Sequence, residues 1–143
     1  MAKGEAAVQR AMQWLGEDYS WAGGNAYGPT LGVCVNGAAW NACHVVGFDC
    51  SGLTLYGWAP STTLAHYTVT QYNQGSYHPS KSELMPGDLL FWSYDGSLAG
   101  VHHVALYIGN GNILQAPQTG DVVRITPLSD RVSGYYGATR PMT

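Results

Sequence analysis

Val101-His102-His103-Val104-Ala105-Leu106-Tyr107-Ile108, then Gly109-Asn110-Gly111-Asn112, then Ile113-Leu114-Gln115-Ala116: this stretch decides the fold class. Two apolar runs separated by glycine and asparagine read as an antiparallel hairpin, because those residues adopt the positive φ that a tight connection requires. Strand alternation puts His103, Ala105 and Tyr107 on one face and His102, Val104, Leu106 and Ile108 on the other. A hairpin centred on the turn sets position 103 opposite about position 115, so Gln115 becomes a neighbour of His103. His102 would face Ala116, which offers it nothing. A satisfied strand histidine is the plain alternative for His103.

Outward from the hairpin, Pro86-Gly87-Asp88 turns into the strand Leu89-Leu90-Phe91-Trp92, closed by Tyr94-Asp95-Gly96-Ser97. Downstream, Val122 to Ile125 and Tyr135 to Arg140 read as two more strands. Upstream, Glu5 to Leu15 has helical periodicity and ends at Gly16. A second helix starts at Cys50, and a third runs from roughly Thr63 to Tyr72, ended by Asn73-Gln74-Gly75. Helices lead and strands follow. The prediction is an α+β domain, with N-terminal helices packed on an antiparallel β-sheet of about five strands.

With 143 residues, 45% of them hydrophobic and 10% charged, the chain has the size of one domain, 1–143. Residues 27–47 carry glycines without apolar periodicity and read as a long loop insertion. A formal charge of −3, a pI near 5.9 and only six Lys and Arg argue against a nucleic-acid or anionic-membrane binder. No run approaches the roughly 18 apolar residues of a membrane span, and Met1-Ala2-Lys3-Gly4-Glu5 lacks a signal-peptide pattern. The chain is expected to be soluble as given, as the mature or excised part of an exported protein.

Of the three cysteines, Cys34 and Cys43 can close a small staple suited to an oxidising compartment, or stay as two thiols. With His44 they lie near one another, yet no matched second ligand pair supports zinc. Cys50 stands apart in Phe48-Asp49-Cys50-Ser51-Gly52-Leu53-Thr54. Asp49 and Ser51 are good helix starters, so Cys50 falls at a helix N-terminus, where free N–H groups and the dipole favour a reactive thiolate. A buried structural cysteine is the competing reading. Tyr19 and Trp21, in an aromatic loop, are core anchors or pocket linings. His66 and His78 have no partner at a recognisable spacing and read as surface histidines.

Asp18-Tyr19-Ser20-Trp21-Ala22-Gly23-Gly24, Phe48-Asp49-Cys50-Ser51-Gly52-Leu53, Met85-Pro86-Gly87-Asp88-Leu89-Leu90-Phe91, His103-Val104-Ala105-Leu106-Tyr107-Ile108-Gly109 and Gln115-Ala116-Pro117 together resemble the NlpC/P60 family of cell-wall cysteine peptidases. The match runs in the family's order over nearly the whole chain. It implies a papain-like core and a peptidoglycan endopeptidase that cuts stem peptides at the γ-D-glutamyl–meso-diaminopimelate bond. By that resemblance Cys50 is the nucleophile, His103 the general base and Gln115 the orienting third residue. Tyr19 helps to hold the oxyanion. Asp49 and Ser51 match positions that hold the free amine of the stem peptide, with His102 and Trp21 as further candidate substrate contacts. The third position is most often histidine in the family, so Gln115 is expected to preserve activity with an altered pH profile.

The implied chemistry needs no metal or cofactor. The implied setting is secreted, in the cell wall or periplasm. The implied partners are stem peptides or muropeptides, with an inhibitor or immunity protein beside a monomeric enzyme and no nucleic acid. The competing functions are a CHAP-like amidase or endopeptidase acting at another wall bond, a catalytically silent wall-binding module, and an effector delivered to a neighbour's wall.

Overall fold

The computed structural model describes residues 2–35 and 41–143. Helix α1, Ala2–Met12, presents Gly4, Ala7 and Ala11 to the core. It starts earlier than the expected 5–15, and it stops earlier because Trp14 and Leu15 donate to Ala11 and Met12 in tighter turns and Gly16 leaves at φ 87°. The described parts of the 27–47 segment, residues 27–35 and 41–47, are less irregular than their sequence suggests. Strand β1, Thr30–Leu31, pairs antiparallel with β2, Val46–Gly47. Cys34 is bonded to Cys43 with Cα atoms 4.9 Å apart, and the residues 36–40 between them lie outside the described residues.

Helix α2, Cys50–Trp58, is buried on almost every side, including Leu53, Thr54, Tyr56 and Trp58. A helix buried all round is a core element rather than an amphipathic cover. Phe48, Tyr56 and Trp14 pack against each other with ring centroids 5.5–6.5 Å apart. The Trp58 indole donates to the Gly87 carbonyl at 2.9 Å. Gly52 has no room for a side chain: a Cβ there would lie 2.2 Å from the Gly23 carbonyl oxygen. That close approach seats the 18–24 loop on the first turn of α2.

Helix α3 spans only Thr68–Tyr72, against the expected 63–72. Glutamine side chains have taken the backbone groups an earlier start would need: Ala65 N–H donates to Gln74 Oε1 and Ala65 C=O accepts from Gln71 Nε2, both at 2.8 Å. Gln71 is fully buried. Its amide also donates to the Ser51 carbonyl and its oxygen accepts from Thr54 Oγ1, tying α3 to α2.

The main sheet follows as β3 Leu89–Ser93, β4 Val101–Gly109, β5 Asn112–Gln115, β6 Arg124–Pro127 and β7 Tyr135–Thr139. Its five strands are ordered β6-β5-β4-β3-β7 and every pair is antiparallel. The fold is α+β, with the N-terminal helices packed on this antiparallel sheet, as the order of elements predicts. Leu89, Phe91, Val104, Leu106 and Leu114 face the helices. Leu90, Trp92, Ala105, Ile113 and Ala138 form a second cluster on the opposite face. Strand β6 starts two residues later than expected. Val122 and Val123 are occupied by the N-terminal segment instead, through the Asp18–Val122 bridge and the bond from Val123 N–H to the Glu17 carbonyl.

Two irregularities matter for function. Leu106 pairs with Leu114 and Tyr107 with Ile113, two residues from the predicted register. Between β3 and β4, Trp92 faces His103 and Ser93 faces Val101, so His102 is the extra residue of a bulge. No helix among the described residues is long and apolar enough to cross a membrane.

Asp88 fastens the residue that follows β7 to the turn before β3. Its buried carboxylate takes both guanidinium arms of Arg140, at 2.8 and 3.0 Å, and the Met85 N–H at 2.8 Å. Arg140→Met would leave that carboxylate without its charge partner. It is expected to lower the unfolding free energy by about 3 kcal/mol, seen in urea denaturation as a lower midpoint with an unchanged slope. An unchanged midpoint would show that Asp88 does not depend on Arg140.

Candidate active site

The site is built on the first turn of α2. Asp49 caps the helix: its Oδ1 accepts from Gly52 N–H at 2.7 Å. The same carboxylate reaches three other places. Oδ2 accepts from Ala22 N–H at 3.2 Å, Oδ1 lies 2.6 Å from His66 Nε2, and the Ser51 hydroxyl donates to Oδ1 at 3.4 Å. Ala22, at φ 65°, bends the aromatic loop back over the helix start. That loop runs beside the residue preceding the cap, with Ser20 N–H donating to the Phe48 carbonyl at 3.0 Å and Phe48 N–H to Asp18 at 3.2 Å. Tyr19 is thereby held across from Phe48, next to Cys50.

Cys50 is 9% exposed and lies between two hollows of about 480 and 410 Å³. Tyr19, Trp21, Cys50 and His102 line both. Asp49, Ser51 and His66 belong to the first, and His103 and Arg131 to the second. The structure thus brings Cys50, His103, Tyr19, Trp21 and His102 to one cleft. The bulge accounts for the position of His102, whose ring stacks on Tyr94 with centroids 3.5 Å apart.

His103 Nε2 lies 2.9 Å from Gln115 Oε1. The predicted register was wrong by two residues, yet the contact forms. A shift of two preserves the face, and a diagonal neighbour remains within reach of a long side chain. Gln115 is buried, with its Oε1 also accepting from Arg131 Nη1 at 2.8 Å and its amide nitrogen donating to Thr126 Oγ1 at 2.9 Å. Since Oε1 is an acceptor, His103 carries its proton on Nε2, and Nδ1 is the nitrogen with a lone pair.

Burial sets the charge state. It pushes the Cys50 thiol up to about 12, with the Asp49 charge adding to it, against backbone N–H groups of Val104, Ser51 and Cys50 that favour the thiolate. Burial also pushes His103 down to about 3, helped by the Arg131 charge and opposed by the Gln115 hydrogen bond. This corrects the expectation that the helix start yields a thiolate: the backbone contribution is present but desolvation exceeds it. Both shifts favour a neutral thiol and a neutral imidazole at rest. Tyr19 is raised chiefly by burial, and a thiolate at Cys50 or the Asp49 charge beside it pushes the same way, so its hydroxyl stays a donor.

Sequence reasoning missed His66, Arg131 and Thr126. His66 is exposed like the surface histidine it was expected to be, but it is paired with Asp49. Arg131 ends the short 3-10 helix Leu128–Arg131, in a segment without periodicity, and no spacing links it to His103. Among the described residues, the metal-type ligands that cluster are Cys34, Cys43 and His44, and the two sulfurs are spent on each other.

Comparison with known proteins places these residues in context. The model of the NlpC/P60 family matches residues 16–138. The chain is 44% identical over 131 residues to the peptidoglycan endopeptidase RipA of Mycolicibacterium smegmatis, covering 91% of this chain and 24% of that protein. It therefore spans about a quarter of that relative's length. A RipA structure altered at a cysteine superposes with TM-score 0.84 at 36% identity, covering 98% of this chain and 62% of that one. RipD of Mycobacterium tuberculosis, described as a non-catalytic NlpC/p60 domain protein adapted to peptidoglycan binding, superposes with TM-score 0.79 at 31% identity, covering 96% of each chain.

Two pH effects follow from the site. Ultraviolet thiolate absorbance of the wild type, measured against Cys50→Ser, is expected to stay flat through neutrality and to rise only in strong alkali. A step near neutral pH would show a preformed ion pair. The Asp49 hydrogen bond, together with the Asp49 charge, raises His66 against a smaller effect of burial. Its contribution to stability is then full below the unfolded-state value near 6.5 and lost as pH rises through the folded value. The stability difference between wild type and His66→Gln should therefore shrink with rising pH. A difference constant with pH would mean that the pair does not form in solution.

Proposed function

This chain belongs to the NlpC/P60 family, and on that premise we propose that it is a peptidoglycan endopeptidase working through a Cys50–His103–Gln115 triad. The observation that carries the reading is the hydrogen bond between His103 and a buried, fixed Gln115 amide, beside a cleft shared by His103 and Cys50. RipA structures solved with a cysteine, a histidine or a glutamate altered lend support. Their histidine and glutamate are twelve positions apart, as are His103 and Gln115.

Starting from the neutral pair, His103 Nδ1 takes the Cys50 proton as the sulfur attacks the scissile carbonyl carbon. Charge appears on sulfur only as the new bond uses it, so the high thiol pKa does not block the step. The oxyanion is met by the Cys50 backbone N–H and the Tyr19 hydroxyl. The imidazolium then protonates the leaving amine, giving a thioester. A water, deprotonated by His103, attacks that thioester and releases the acid and the free thiol.

The substrate class is the stem peptide, cut between γ-D-glutamate and meso-diaminopimelate, with its amine directed to the end of the cleft that holds Asp49 and Ser51. Asp49 serves as cap, loop anchor and His66 partner before any substrate arrives. Its Oδ2, with one described donor, is the atom left for an amine. The whole chain acts as one catalytic domain, 1–143, outside the cytoplasm, where the Cys34–Cys43 bond persists.

Digestion of defined muropeptides, followed by product masses, tests activity and bond together. Cys50→Ala is expected to abolish turnover, and Gln115→Ala to reduce kcat by about 10²-fold with KM little changed. Full lytic activity in Cys50→Ala would overturn the mechanism. Binding of muropeptides by the wild type without turnover would place the chain with wall-binding proteins of the RipD kind.

A further inference from the structure

We propose that Arg131 is the positioning residue of this site: its guanidinium keeps the Gln115 carbonyl turned toward His103 and so selects the imidazole tautomer that can accept a proton from Cys50. The proposal rests on the peptidase reading above and assigns a role to a residue outside the triad.

The argument starts from a weakness of glutamine as a third residue. A carboxylate offers oxygen whichever way it turns, whereas an amide offers oxygen one way and NH₂ the other. With NH₂ toward His103, Nε2 would have to be the acceptor and the proton would move to Nδ1. That nitrogen could then no longer take the Cys50 proton. Something must hold the amide one way round. Thr126 Oγ1, 2.9 Å from the amide nitrogen, cannot do it alone, because a hydroxyl donates or accepts equally well. Arg131 can. Its guanidinium has donors only, and its Nη1 sits 2.8 Å from Oε1, the same atom that meets His103. Turning the amide over would set NH₂ against the Arg131 N–H, a clash that no change of imidazole tautomer relieves.

Arg131 is itself held in place. Its guanidinium lies over the Trp92 ring at 5.1 Å, the Trp92 indole N–H donates to the Arg131 carbonyl at 2.8 Å, and Trp92 packs against His103 at 5.3 Å. Arg131, Gln115, His103 and Trp92 thus form a closed ring of contacts. The guanidinium also opposes imidazolium formation. Among the described residues, the charged or titratable groups that share the hollow with His103 are Cys50 from α2, Tyr19 from the aromatic loop, Tyr94 after β3, His102 from its own strand and Arg131 from the 3-10 helix. The neighbours from β3 and β5, Trp92 and Gln115, do not titrate.

The test uses Arg131→Met, which keeps a long side chain near Trp92 but removes the donors, and Arg131→Lys, which returns a donor-only cation. The bond from Trp92 to the Arg131 backbone carbonyl does not need the side chain, and a thermal melt checks that each variant folds. Arg131→Met is expected to lose about tenfold to hundredfold in kcat, as removal of a supporting partner commonly does, with KM unchanged. The acid limb of kcat/KM should move to higher pH, and Arg131→Lys should recover part of kcat. Because a Gln115→Glu side chain cannot be turned the wrong way, Arg131→Met should cost less in that background, a coupling read from the double-mutant cycle. A wild-type kcat and pH profile in Arg131→Met would overturn the proposal, as would a loss confined to KM or equal in both backgrounds.

A substrate-free reading separates this idea from the peptidase assignment. Nitrogen-15 NMR of the His103 ring should show one Nε2–H tautomer in the wild type and mixed tautomers in Arg131→Met. The same single tautomer in both would overturn the role of Arg131 even if the enzyme is active. Loss of that tautomer on substitution would sustain it even if no wall peptide is cut.

Discussion

The Asp49 carboxylate is the constraint from which the site is assembled. A helix N-terminus leaves N–H groups without partners, and Asp49 satisfies the one on Gly52. With its other oxygen it also holds the N–H of Ala22, a residue at positive φ that would be strained if left to itself. One side chain therefore fixes both the start of α2 and the path of the loop that carries Tyr19. Gly52 allows this by having no Cβ where the Gly23 carbonyl must pass. The nucleophile and its proposed oxyanion donor come from segments far apart in sequence, and their relative position is set through this carboxylate and the missing methyl.

The electrostatics run against a simple picture of a helix start that activates its cysteine. Backbone N–H groups do favour the thiolate, but the sulfur is buried, Asp49 adds a like charge, and burial dominates. His103 is driven to neutrality by the same burial. Such a pair stores no charge at rest. Its chemistry depends on a base of correct tautomer placed to remove a proton while the bond to carbon forms. Geometry carries the load that a preformed ion pair would otherwise share.

The outline of this arrangement was legible in the sequence, and the reasons are local. Cys50 follows a capping aspartate, and the run from Val101 to Gln115 alternates around a turn whose residues tolerate positive φ, as Asn110 does at 55°. The exact register was not legible, since a bulge and an irregular turn shift pairing without leaving a mark in composition. The contact between His103 and Gln115 survived because a slip of two residues keeps the same face. Helix α3 came out shorter than its sequence promised because Gln71 and Gln74, six and nine residues further on, bind the backbone of Ala65, a choice of side-chain partner that leaves no mark in the apolar pattern. Arg131 was invisible for the same reason: it reaches Gln115 across 16 residues, from a segment with no pattern.

That invisible residue bears on why glutamine can occupy the third position. An acid in that place would orient the ring and stabilise its protonated form together. An amide separates the two effects: it orients through a dipole and adds no charge, and the cation on its far side pushes the imidazole further from protonation. The penalty is that the amide's direction must be specified by a further group, and only a side chain that cannot accept a hydrogen bond specifies it without ambiguity. Arginine fits this need better than serine or threonine, and its planar face lets it lie on Trp92 while one nitrogen reaches Oε1. A neutral third residue and a nearby arginine are therefore one device, and substituting either changes what the other does.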